Sequence, residues 1–206
     1  MAIRTRLPVE QRREQVLEAA MGLFAEQPFE QLSMDQIASA CGISRALLYH
    51  YFGGKRELYV ETIRAASGRL AAQRTDRSRP EDEQLRQGLR EYFGSVRKAP
   101  AAHVAFRRAA ATDPEIAAIV ARTREAFAQR VAAAIPGAAD SPLALAAIRS
   151  WVAAVEAAAG DWIVRGEPEI ESLVEVLAEA LVGAIGAASR LDRSIVPPEA
   201  DPEPRG

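Results

Sequence analysis

Residues 32–55 read LSMDQIASACGISRALLYHYFGGK. Ser33-Met34-Asp35-Gln36 has the form of a capping box, in which a serine oxygen satisfies a free amide at a helix start. The short helix that follows turns Ile37, Ala38 and Cys41 inward. Gly42 supplies the left-handed residue that stops it. Ser44 caps a second helix, which runs to Phe52 and is broken by Gly53-Gly54. A short capped helix, a tight glycine turn and a second capped helix make a helix-turn-helix over 33–52. At ~100° per residue, Ser44, Leu48 and Phe52 fall on one side of the second helix and can anchor it. Ala46 and His50 lie on the opposite side. Arg45 and Tyr49 make one flank, Leu47 and Tyr51 the other.

Working outward, the periodicity stays helical. Residues 9–26 place Val16, Ala20, Leu23 and Phe24 on one stripe, and Pro28 ends that helix. Lys55 opens a long helix to about residue 74, and polar Thr75–Glu83 reads as a loop. Helices are predicted near 82–98, 101–111, 114–134, 142–165 and 169–190, punctuated by Pro100, Asp113-Pro114, Pro136-Gly137, Ser141-Pro142 and Gly166 to Pro168. The expectation is an all-α fold of about nine helices. An N-terminal three-helix domain over 10–70 carries the helix-turn-helix, and a larger helical domain spans 75–190. Residues 191–206, ending in VPPEADPEPRG, are expected to be a disordered tail.

The outward face of the second helix suits a DNA major groove. Small Ala46 lets the backbone approach base edges, His50 can donate or accept there, and Leu47 can touch a thymine methyl. Tyr49 and Tyr51 can reach phosphates on the two groove walls. Ser33 and Lys55 sit at helix N-termini, where free amides favour phosphate. Charge agrees. The whole chain carries −2, but residues 1–64 are neutral, 65–110 carry +5 and 111–206 carry −7. No acid lies between Asp35 and Glu57, whereas Arg45, Lys55 and Arg56 do.

Other classes find little support. GxSxG and HExxH are missing, and Gly53-Gly54-Lys55-Arg56 lacks the rest of a phosphate loop, so no enzyme is expected. One cysteine, Cys41, and two histidines, His50 and His103, leave neither a disulfide framework nor a metal-ligand set, and no cofactor is expected. The start, MAIRTRLPVE, has no signal-peptide pattern. The alanine-rich stretch 142–164 is interrupted by Arg149, Glu156 and Asp161, so no membrane span is predicted. A soluble cytoplasmic protein is expected.

EQVLEAAMGLFAEQ, LSMDQIASACGISRALLYHYF and GGKRELYVETI together resemble the N-terminal domain of the tetracycline-repressor (TetR) family of bacterial transcription regulators over residues 10–62. The most specific pieces are IA-x-x-x-G-x-S, L-Y-x-x-F and a lysine three residues past that phenylalanine. The resemblance implies a homodimer that binds double-stranded operator DNA. By position, Ser33, Tyr49, Tyr51 and Lys55 would contact phosphate, and Arg45, Ala46, Leu47 and His50 would face or border bases. The chain departs from the family where Ala46 and Leu47 replace a common glycine and threonine; Leu47 thereby loses a hydroxyl that could meet phosphate.

The second half resembles the family only in being helical. Its last two helices are rich in small residues, which suits close packing, and the family suggests a four-helix dimer interface made by two copies of this pair. A sparse set of aromatic and polar residues, Tyr92, Phe93, His103, Phe106, Phe127, Trp151, Glu156 and Trp162, offers candidates for an unidentified, largely apolar small-molecule effector. A carboxylate amid alanines must be paired, neutral or wet, and Arg149 is a candidate partner for Glu156. The function expected is a ligand-responsive regulator, a repressor by default, reading a palindromic operator. An effector would shift the long helix 55–74 and so the spacing of the reading heads. The alternative is a helical small-molecule sensor or scaffold that has lost operator binding.

Overall fold

The computed structural model describes residues 8–72 and 80–196. Among them are nine α-helices, one short 3-10 turn and no strand: α1 (Val9–Glu26), the turn Phe29–Gln31, α2 (Met34–Ala40), α3 (Arg45–Phe52), α4 (Lys55–Ala72), α5 (Glu81–Lys98), α6 (Pro100–Thr112), α7 (Pro114–Ala133), α8 (Pro142–Arg165) and α9 (Ile170–Leu191). Local chemistry sets the ends. Pro28 disfavours helical geometry at the residue before it, and Gln27 is extended at φ −134° and ψ 140°. Pro100 and Pro142 occupy first helical turns, where a missing amide costs nothing. The Asp113 carboxylate accepts from the amides of Glu115 and Ile116 at 2.9 and 3.3 Å and so starts α7.

The described residues divide into two compact units, 8–72 with 99–120, and 80–98 with 121–196. The first is larger than the 10–70 read from the sequence, because α6 and the opening turns of α7 belong to it. Val16, Leu17, Ala20 and Phe24 of α1 pack with Ile37, Leu48, Phe52, Leu58 and Ile63, and Ile116, Ile119 and Val120 of α7 join the same core. Charged side chains bind α4 to the start of α7. Arg56 reaches both Asp113 oxygens at 3.0 Å, and Arg64 reaches Glu115 at 3.0 Å. Burial pushes the Asp113 carboxyl up, but hydrogen bonds from Arg56 and from the Ile116 and Glu115 amides hold it below its ordinary value.

In the second unit α8 and α9 pack along each other, with α5 against both. Phe93, Ile148, Val174 and Ile185 are fully enclosed, and the Trp151 indole donates to the Leu177 carbonyl at 2.7 Å. By length and composition α8 could cross a membrane. One side of it lies in this core, where Ala144, Ile148, Trp151, Val152, Val155 and Ala159 are buried.

The expected tail does not begin at 191. Ile195 is buried, the Val196 amide donates to the Pro136 carbonyl at 3.0 Å, and Asp192 accepts from the Ser141 hydroxyl at 2.6 Å. Residues 197–206 lie outside those described. Gly137 makes this docking possible. Its φ is +79°, and a Cβ there would lie 1.8 Å from the Ser194 carbonyl oxygen. Gly137→Ala is therefore expected to cost about 1–3 kcal/mol for the backbone conformation alone. The thermal midpoint should fall by roughly 5 °C or more. An unchanged midpoint would mean that 192–196 is not held against this turn.

Candidate nucleic-acid interface

The interface is built on two caps and one buried ridge. The Gln36 amide donates to Ser33 Oγ at 3.2 Å, and the Ser33 amide donates to Gln36 Oε1 at 2.8 Å, completing the reciprocal box. Gly42, at φ +65°, turns the chain where a side chain would be strained. Ser44 Oγ then accepts from the Leu47 amide at 3.2 Å and starts α3. Leu48 (0 % exposed) and Phe52 hold α3 from within. Burying leucine this fully stabilises the unit by about 1.5–3 kcal/mol.

The other side of α3 faces solvent. Arg45, Ala46, Tyr49 and His50 are exposed, and Leu47 and Tyr51 are half-buried. Tyr49 is 39 % exposed, large enough a share to leave its ring edge open to a ligand. Tyr51 packs partly on the core and meets Phe52 edge-on at 6.1 Å. Lys55, at the start of α4, lies over the Phe29 ring at 4.4 Å and donates to the Glu30 carbonyl at 3.4 Å. Phe29 is itself stacked on Tyr59 at 4.4 Å, so the ammonium sits on a supported aromatic shelf. Burial first, and the Glu30 charge second, push the Tyr59 phenol up. The Ser33 hydroxyl is engaged as a donor by Gln36 Oε1 at 2.8 Å.

One participant was not singled out from the sequence. Asp35, in the first turn of α2, accepts from Arg45 Nη1 at 2.8 Å, and the same guanidinium lies 5.5 Å from the Tyr49 ring centre. Hydrogen bonding to Tyr49 and then the Asp35 charge raise the Arg45 pKa. No local pattern marks the pair, since Asp35 and Arg45 stand ten residues apart on the two sides of the turn.

The eight effector candidates do not share one unit. His103 and Phe106 lie on α6 in the first; Tyr92, Phe93, Phe127, Trp151, Glu156 and Trp162 lie in the second. Phe93 and Trp151 are core residues, with Tyr92, Phe127 and Trp162 packed partly against that core. Phe127 stacks on Trp151 at 6.4 Å, and the Trp162 indole donates to the Pro168 carbonyl at 3.1 Å. Glu156 pairs with Arg124, at 2.8 Å through Nε, and not with Arg149. Arg149 instead holds Glu125 at 2.7 and 2.8 Å and, aided by Gln129, lowers that carboxyl to about 2. Helix packing explains the exchange, since Arg124 and Glu125 both project from α7 toward α8. An open cleft of about 220 Å³ lies there, lined by Ala121, Arg124, Glu125, Arg149, Val152 and Ala153. None of the eight candidates lines it. Among the described residues no group of His, Cys, Asp and Glu could hold a metal ion.

A capped helix pair with an open, acid-poor outer face and a buried inner ridge defines a helix-turn-helix DNA-binding regulator. Residues 16–62 match the family described as bacterial regulatory proteins, tetR family, and residues 81–184 match the tetracyclin repressor-like C-terminal domain. The chain belongs to the TetR family of transcriptional regulators. It is similar to the HTH-type transcriptional activator FasR of Mycolicibacterium smegmatis, with 30 % identity over 132 residues, 61 % of this chain and 59 % of FasR. It is similar also to the HTH-type transcriptional regulator BetI of Rhizobium meliloti, with 39 % identity over 59 residues, 29 % of each chain. The match thus spans less than two thirds of the length of these relatives. A crystal structure of a tetR-family transcriptional regulator from Streptomyces coelicolor superposes with a TM-score of 0.79 at 28 % identity, covering 91 % of this chain and 86 % of that one.

Proposed function

We propose that this chain is an effector-responsive repressor that binds a palindromic operator as a homodimer, with α3 as the reading helix. The observation that carries the reading is the division of α3 into a buried ridge, Leu48 and Phe52, and an outer face of Ala46, His50 and their flanking residues. In this reading Ser33, Tyr49, Tyr51 and Lys55 meet phosphate, and Arg45, Ala46, Leu47 and His50 face or border bases. Phosphate contacts set position and base-edge contacts set sequence.

Homodimerisation is supported by what α8 and α9 leave uncovered. Leu143, Ala146, Ala153, Ala157 and Val164 recur at helical spacing on α8 and are exposed, and Val176, Ala180, Gly183, Ala187 and Leu191 do so on α9. Val164 is 83 % and Leu191 81 % exposed, and each ends a contiguous stripe of apolar and small residues of the kind that marks an interaction surface. An apolar effector housed in the second unit, among Tyr92, Phe127 and the Arg124–Glu156 pair, completes the reading. Helix α7 begins in the first unit, clamped by Arg56 and Arg64, and continues past Val120 into the second. An effector bound in the second unit would act by shifting the long helix α4 and with it the spacing of the reading heads. The regulators among its relatives support a function without catalysis.

Selection of bound duplexes from random DNA tests this reading. A two-fold-symmetric consensus with half-sites about one turn (~34 Å) apart is expected. On that duplex, Tyr49→Phe and Lys55→Ala should weaken binding to all sequences alike, and Lys55→Ala, which removes a charge, should also flatten the salt dependence. His50→Ala and Leu47→Ala should change preference among operator variants. No duplex binding at low salt would favour the sensor alternative. The similarity to FasR, named an activator, favours activation as a second reading of the regulatory sign; transcription from a promoter carrying the selected site, with and without the protein, decides between the two.

A further inference from the structure

The carboxylate of Asp35 stands on the surface that would approach a polyanion. It is 66 % exposed as a side chain, and its partner Arg45 is 56 % exposed. An ion pair this open adds about 0–1 kcal/mol to stability, and α2 and α3 are already joined through Ile37, Ala38 and Leu48 in one core. The pair is therefore not needed to hold the motif together. What it does is fix Arg45 at two points, Nη1 on Asp35 at 2.8 Å and the guanidinium beside the Tyr49 ring at 5.5 Å.

A free arginine at the first residue of α3 would reach for phosphate, which every sequence offers. An arginine whose charge is half-neutralised and whose stem is held has less to gain from phosphate. Its remaining donors keep their geometric match to guanine, which presents O6 and N7 together in the major groove. The acid also repels phosphate directly and so weakens binding to every duplex.

We infer that Asp35 is a positioning residue for sequence discrimination: by holding Arg45 beside Tyr49 it lowers affinity for DNA in general and directs the guanidinium to a guanine edge. The inference rests on α3 being the reading helix. The test uses the full chain, a duplex recovered from the random-sequence selection, and a scrambled duplex of equal length. Asp35→Asn keeps the side-chain shape and removes the charge. It is expected to tighten binding to the scrambled duplex, to steepen the log–log salt slope by about 0.9, and to lower the selected-to-scrambled affinity ratio about tenfold. Asp35→Ser, which retains a good first-turn residue, should do the same if the asparagine variant folds poorly. In an Arg45→Ala background, Asp35→Asn should leave the ratio where Arg45→Ala alone puts it. A ratio that Asp35→Asn leaves at the wild-type value overturns the inference alone, as does an equal drop in the Arg45→Ala background. A wild-type chain with no preference among duplexes overturns the reading of α3 and this inference with it.

Discussion

Replacing Leu48 by alanine is expected to remove about 2–5 kcal/mol of stability, a large share of the roughly 5–15 kcal/mol that a folded domain commonly holds. Leu48 is wholly enclosed, in a core that also contains Val16, Ile37, Phe52 and Leu58. The vacated space lies under the middle turn of α3, with Phe52 a turn further on. Leu48 and Phe52 are the two side chains that hold α3 from within, so losing one of them loosens the tilt of the reading helix. Operator binding should therefore fall well before the chain unfolds globally. Leu47→Ala, one position earlier and half-exposed, should leave stability nearly intact while altering operator preference. Denaturant unfolding and duplex titration on the two variants make the contrast. Comparable stability losses at 47 and 48 would sink the assignment of inner and outer faces.

That contrast was legible in the sequence because it is written locally. The Ser33–Gln36 box, the Gly42 turn, the Ser44 cap and the spacing of Leu48 and Phe52 all act within a few residues, and each is realised at the expected place. The nine helices were legible for the same reason, since Pro28, Pro100, Asp113-Pro114 and Ser141-Pro142 punctuate the chain where the helices begin or end. What depends on packing was not. Ile116, Ile119 and Val120 form an ordinary apolar stripe, and nothing in that stripe says that it packs on α1 to α4 rather than on α8 and α9. Glu156 could be seen to need a cation, but the choice of Arg124 over Arg149 follows from how α7 lies against α8. The Asp35–Arg45 pair joins two helices across the turn, at a separation of ten residues that no helical periodicity marks. Ile195 looked like part of a proline-rich tail until Gly137 provided a seat for the backbone beside it.

Gly183→Arg should separate assembly from folding. Gly183 is exposed on α9, midway along the stripe from Val176 to Leu191, and a Cβ placed there meets nothing within 4 Å. Within a single chain the substitution has room, and exchanging glycine for arginine inside a helix should favour folding by roughly 0.5–1 kcal/mol. If two copies pack α8 and α9 against each other, the same side chain enters a seam built on small residues, where a guanidinium without a partner is costly to bury. The expected outcome is a chain that unfolds no earlier than wild type, sediments as a monomer at concentrations where wild type is a dimer, and binds the selected palindrome about 100-fold or more weaker. The weakening comes from loss of the second reading head, since linked heads gain roughly 10²–10⁴ over one alone. Binding to an isolated half-site should be unchanged, because α3 lies in the other unit. A Gly183→Arg chain that remains a dimer would place the interface elsewhere and leave the exposure of Val164, Val176 and Leu191 to be explained by another partner.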